Sequence, residues 1–167
     1  MRLAWIAIVL APSLAVAEPI STRCYAGAQT EKSGGVSKVL NVVLERTLDP
    51  AASELREHIW SSKAPTKERT LSAKVDVKTN TLEFVDTETG IMGKGTLEGK
   101  PWRWTAQTLK FTKGKIEVTV TSKLEKDTTV HSRMDAVADG KTLFTMTGDL
   151  SKFDCAKLDE QRAALAK

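Results

Sequence analysis

Few residues in this chain can do chemistry, and their spacing argues against most of it. Histidine occurs twice, at His58 and His131. A zinc site wants three or four His, Cys or carboxylate ligands with a supporting shell, and no such grouping occurs, so each histidine reads as a polar surface residue. Haem ligation by either has no positive sign. A Ser-His-Asp triad is recognised by geometry rather than by order in the chain, and here it would have to use one of these two residues. No Gly-x-Ser-x-Gly elbow, P-loop or dinucleotide fingerprint is present. The carboxylates Glu83, Asp86, Glu98 and Glu117 stand singly. The expectation is a protein that is not an enzyme, with no catalytic residue, metal or cofactor.

The two cysteines, Cys24 and Cys155, lie near opposite ends of the chain. In an oxidising compartment they read as a disulfide that ties both termini to the body of the fold. Two buried thiols or a redox pair are the alternatives, and the close Cys-x-x-Cys of redox chemistry is absent. The segment KPWRWTA places Trp102 and Trp104 two residues apart, on one face of a strand. Trp104 then either offers a flat surface to a ligand or, with Trp102, plugs one end of a core. The plug is the commoner use.

These residues must be positioned by strands. From Leu71 to Leu150, short runs alternate apolar and polar residues, each closed by a Gly, Asn or Asp turn. Leu71, Ala73, Val75 and Val77 share a face. So do Leu82 and Phe84; Ile91, Gly93, Gly95 and Leu97; Trp102, Trp104, Ala106 and Thr108; Ile116, Val118 and Val120; Val130, Ser132, Met134 and Ala136; and Phe144, Met146 and Gly148. The connections are too short for parallel crossovers. Two further strands are expected near residues 37–47 and 54–62. Residues 36–48 fit a helical period as well, and the valines there favour strand.

About nine strands with one apolar face must hide that face, and closing the sheet on itself hides it and removes the edges. The expected fold is all-β, an antiparallel up-and-down barrel of about 8–10 strands with a short C-terminal helix. A two-sheet sandwich is the runner-up. Residues 1–17 read as a signal peptide: Arg2, an apolar run from Leu3 to Ala11, and Ala15-Val16-Ala17 before Glu18. That run is far short of the roughly 20 residues of a membrane span, and none is expected elsewhere. Residues 18–35 read as a flexible lead-in carrying Cys24, 36–155 as the barrel and 156–167 as a helical tail. The formal net charge of +4 falls by one when Arg2 is removed. The lysines are spread over turns and outward positions with no basic run, so nucleic acid is not an expected partner.

The run GKGTLEGKPWRWTAQTLKF, the strand at Ile116–Val120, the Asp139-Gly140 hairpin and the late Cys155 together resemble lipocalin-like (calycin-type) β-barrel proteins exported by bacteria. The resemblance covers roughly residues 36–155 as a rhythm of strands. It implies a small barrel that holds an apolar ligand, and it transfers no functional residue. The candidate barrel lining is Phe84, Trp102, Trp104, Val118, Met134, Phe144 and Met146. The first expectation is therefore a periplasmic or secreted carrier or sensor of a small apolar molecule. The alternative is an envelope protein-binding module, an inhibitor or assembly factor, with a filled barrel. Which of the two holds turns on whether large and small inward residues interdigitate or leave a space.

Overall fold

The structure is a computed structural model that describes residues 18–166; the expected signal peptide lies outside the described residues. Ten strands follow one another: β1 (Ser21–Ser33), β2 (Val36–Asp49), β3 (Glu54–Ser61), β4 (Ala64–Asp76), β5 (Thr81–Asp86), β6 (Met92–Lys100), β7 (Arg103–Lys113), β8 (Ile116–Glu125), β9 (Thr129–Ala138) and β10 (Lys141–Phe153). Each pairs antiparallel with its sequence neighbours, and β1 pairs with β10 to close the barrel. A turn of 3-10 helix, Cys155–Lys157, leads into α1 (Leu158–Ala164). This is the expected fold class, at the upper end of the expected strand number.

One expectation is corrected, and one left between two periods is settled as strand. The segment 18–35 is not a flexible lead-in. Residues 21–33 form β1, whose register runs from Ser21 opposite Leu48 to Ser33 opposite Val36 on one side, and from Cys24 opposite Phe153 to Lys32 opposite Thr145 on the other. Its polar residues obscure the signal, but Tyr25, Gly27 and Gln29 follow the period of two, and without β1 the sheet could not close. The stretch 36–48, which also fits a helical period, is strand throughout. Its burial follows strand pairing on the inner face, with Val43 covered from outside.

The inner face is apolar and the outer face polar. On β8, for example, Val118, Val120, Ser122 and Leu124 alternate with Glu117, Thr119, Thr121, Lys123 and Glu125. This is the reverse of a transmembrane barrel, which turns its apolar face outward. Among the described residues no helix is long and apolar enough to cross a membrane. The outer wall is apolar where α1 lies on it. There Val43, Trp60 and Leu165 are buried together with Ala26, Phe153 and Leu158 around them, and the Arg162 guanidinium lies 4.5 Å over the Trp60 ring. The Cys24–Cys155 disulfide, with Cα atoms 5.3 Å apart, ties β1 to the start of this helical tail.

A β-bulge resets the phase of β7. Glu98 pairs with Ala106 but Gly99 pairs with Trp104, and Gly99 holds φ +110, a value open to glycine. Trp104 is buried, yet beyond the bulge it is Gln107 and Leu109 that are buried, with Phe111 packed on the core. Ala106 therefore does not share the inner face with Trp104, contrary to simple alternation.

Candidate functional site

The barrel has a packed end and an open end. At the packed end Leu48, Leu55, Val75, Leu82, Leu97 and Trp104 form one cluster, with Trp102 against it. Trp102 sits in the β6–β7 turn at φ +60, a left-handed conformation that costs a non-glycine residue roughly 1–2 kcal/mol. It brings the two indole rings to 5.0 Å. Trp104 Nε1 donates to Asn80 Oδ1 at 3.2 Å, so its one polar atom is satisfied at the barrel end. Both tryptophans close this end, which leaves only a space of about 20 Å³ beside Trp104.

Beyond that plug lies a cavity of about 330 Å³ that opens to solvent at the other end. Its walls are largely apolar, with Val42, Leu44, Phe84, Leu109, Met134 and Met146 among the lining residues. Of the candidate lining residues, Phe84, Met134 and Met146 line it, whereas Trp102, Trp104, Val118 and Phe144 do not. Val118 is buried, and it pairs with Phe111 and Ala136. Phe144 also pairs with Ala136, next to a register shift in β10. Both belong to inward rows, one pair nearer the β7–β8 and β9–β10 hairpins than Val120 and Met146, the residues of their own strands that line the cavity. The two tryptophans fail to line the cavity because the β6–β7 connection carries them to the opposite end.

The space does not come from the strand glycines. A Cβ on Gly93 would strike the Phe84 ring, so Gly93 lets that ring lie flat against the wall. Room is left where shorter or polar residues face inward, at Gln29, Ser122 and Ser132. Gln29 Nε2 donates to Ser132 Oγ at 2.8 Å, and Ser132 Oγ donates to the Gly148 carbonyl at 3.2 Å.

A buried polar cluster stands between the cavity and the packed end. Arg46 borders both spaces. Its Nε and Nη2 donate to Glu57 Oε1 at 2.8 and 2.6 Å, and Gln107 Nε2 donates to the same oxygen at 3.2 Å. The Glu57 and Arg46 side chains are only 7% and 14% exposed, so the charges hold each other in place of water. Near the mouth Asp86 is buried and accepts from Arg69 Nε at 2.6 Å. Its carboxylate also accepts from the backbone N–H groups of Glu88 and Thr89. Burial pushes the Asp86 carboxyl up, but the Arg69 hydrogen bond and charge, with those N–H groups, together hold it below the usual carboxylate range. Lys67 pairs with Glu88 beside it.

Both histidines lie on the outside of the barrel. His58 Nδ1 contacts Glu68 at 2.5 Å, and His131 bridges Asp149 at 2.6 Å and Glu125 at 2.8 Å. The Glu125 and Asp149 hydrogen bonds hold the His131 imidazole above its ordinary value. Neither histidine reaches the cavity. Among the described residues no group of three or more His, Cys, Asp or Glu could hold a metal ion. Comparison with known protein families, characterised proteins and solved structures finds no match. The fold and the geometry of the cavity alone therefore carry the functional reading.

Proposed function

We propose that this protein binds a small, largely apolar molecule inside its barrel and acts as a carrier or sensor, exported to the periplasm or beyond. The single observation that carries the reading is the open cavity of about 330 Å³, which falls within the roughly 300–1,000 Å³ of ligand pockets. A side-chain-filled barrel, which the protein-binding alternative calls for, would have no such space. Polar side chains in the wall give a ligand fixed points of orientation. Arg46, Glu57 and Gln107 stand at its depth, and Gln29 and Ser132 on one side. The disulfide fits an oxidising compartment. The lipocalin-like resemblance supports the same use of a barrel interior, as an analogy of fold.

Native mass spectrometry on protein exported to a bacterial periplasm and purified without detergent tests this. The expected result is an adduct of small-molecule mass that is lost on denaturation and reduced in a folded Val120→Trp variant, whose indole projects into the cavity from its wall. An adduct retained equally by that variant, or none from any exporting host, would sink the reading.

A further inference from the structure

The exposed apolar residues are not scattered over the barrel. Among the described residues, the large apolar side chains that stand out into water are Ile20, Val36, Val39, Met92 and Leu143. All but Ile20 lie at the open end. Val36 and Val39 belong to the β1–β2 hairpin, and Ser33 in that hairpin donates its hydroxyl to the Leu143 carbonyl at 3.1 Å. Val36 and Leu143 therefore flank the tip of β1, with Val39 three residues further along β2. Met92 starts β6, which stands across the ten-strand ring from β1. The apolar tips therefore flank the mouth on opposite sides. They form a rim rather than one groove.

The same end carries the exposed lysines of four of its five connections: Lys32 and Lys38, Lys63, Lys113 and Lys115, and Lys141. Of the carboxylates there, Asp86 is buried against Arg69 and Glu88 is paired with Lys67, which leaves Glu31, opposite Lys38, with Glu117 and Asp139 to face these six lysines. At the packed end acids outnumber bases: the connections carry Asp49, Glu54, Asp76, Glu98, Glu125 and Asp127 against Lys78, Lys100, Arg103 and Lys126. A chain with no basic run is thus polarised by its topology, because alternate turns of an up-and-down barrel gather at one end.

From these two observations we infer that the open rim docks on an anionic lipid surface, with Val36, Val39, Leu143 and Met92 dipping into the interface and the lysines on its headgroups. A ring of separated apolar tips fits a flat apolar–polar boundary better than a protein's shaped patch. Lysine stems extend along such a boundary while their ammonium groups stay in water. The inference rests on the rim and not on what the cavity holds. Docking in this orientation would set the cavity mouth against the bilayer.

The test is co-sedimentation with vesicles of equimolar phosphatidylglycerol and phosphatidylcholine, against phosphatidylcholine alone. Two triple variants are compared: Lys32→Glu/Lys38→Glu/Lys141→Glu at the open end and Lys78→Glu/Lys100→Glu/Lys126→Glu at the packed end. One cation near an anionic surface contributes on the order of fivefold in partitioning. Loss of three cations alone is then on the order of a hundredfold, so the charge-reversed open-end variant should lose at least that, while the packed-end variant keeps most of its binding. A Val36→Ser/Leu143→Ser variant, which keeps every charge, should also bind the anionic vesicles more weakly. Wild type that stays in the supernatant with anionic vesicles overturns the inference. So do equal losses in the two charge variants, and capture of an envelope protein by the rim with no vesicle binding.

Discussion

Replacing both members of the Arg46–Glu57 pair should destabilise the barrel no more than replacing either one alone. Three donors converge on Glu57 Oε1, two from Arg46 and one from Gln107. Glu57→Leu leaves a guanidinium that is 14% exposed without its counter-charge. Breaking a fully buried pair costs about 3–5 kcal/mol. Here the cavity offers some access to water, so about 2–3 kcal/mol is expected for Glu57→Leu and a similar amount for Arg46→Met. The double variant removes both charges and leaves apolar side chains on an apolar wall, for a total of about 2 kcal/mol. The coupling is then about 3 kcal/mol, at the top of the range for residues in contact. Urea unfolding measures it. With a slope near ~2 kcal/mol per molar, each single variant lowers the midpoint by about 1 M or more, and the double variant falls no further. Additive effects of the two substitutions, or single variants within about 0.5 kcal/mol of wild type, would refute the buried-pair account.

Other perturbations separate the two ends and the outside of the barrel. Trp104→Ala should cost about 3–5 kcal/mol of stability with little change in binding of an apolar probe, because the indole closes the end away from the cavity; a large loss of affinity with stability intact would contradict its placement. Reduction of Cys24–Cys155, which spans 131 residues, should lower stability by about 5 kcal/mol in the chain-entropy model, read as a shift in urea midpoint with and without reductant. Asp86 has a folded-state pKa below its unfolded one, so its contribution is present above the unfolded carboxyl value and is lost as pH falls through the folded one; the gap between wild type and Asp86→Asn should close on acidification. His131 runs the other way. Its pKa is raised, so what it contributes is present below the unfolded imidazole value and fades as pH rises through the folded one, and histidine ring NMR should show it titrating late.

The strands from residue 71 onward were legible because their inner residues are apolar and their turns carry Gly, Asn or Asp. The first strand was not. Thr22, Arg23, Thr30, Glu31 and Lys32 make β1 polar, and only closure against β2 and β10 requires it to be a strand. The cavity residues were partly legible. Phe84, Met134 and Met146 follow the period of two, whereas Trp104 stays buried through the bulge at Gly99 that shifts the inner row of β7 from Ala106 to Gln107. Arg46 and Glu57 carry a signal in the sequence as well. Each occupies an inward position between apolar residues, Leu44 and Leu48 in one strand and Leu55 and Ile59 in the next. A charge at such a position marks a buried pair once the two strands are set in register, with Arg46 opposite Glu57. The polarity of the rim could be read only after alternate turns had been assigned to one end.

The most direct test of the central claim uses the methionines as reporters. Met134 and Met146 line the cavity and Met92 stands outside it on the rim. With methyl-labelled methionine, a panel of small apolar molecules such as naphthalene, decanol and geraniol is added without vesicles. The account predicts that at least one shifts the Met134 and Met146 methyl signals saturably while the Met92 signal stays in place. Shifts confined to Met92, or no saturable shift at Met134 and Met146 across the panel, would contradict it.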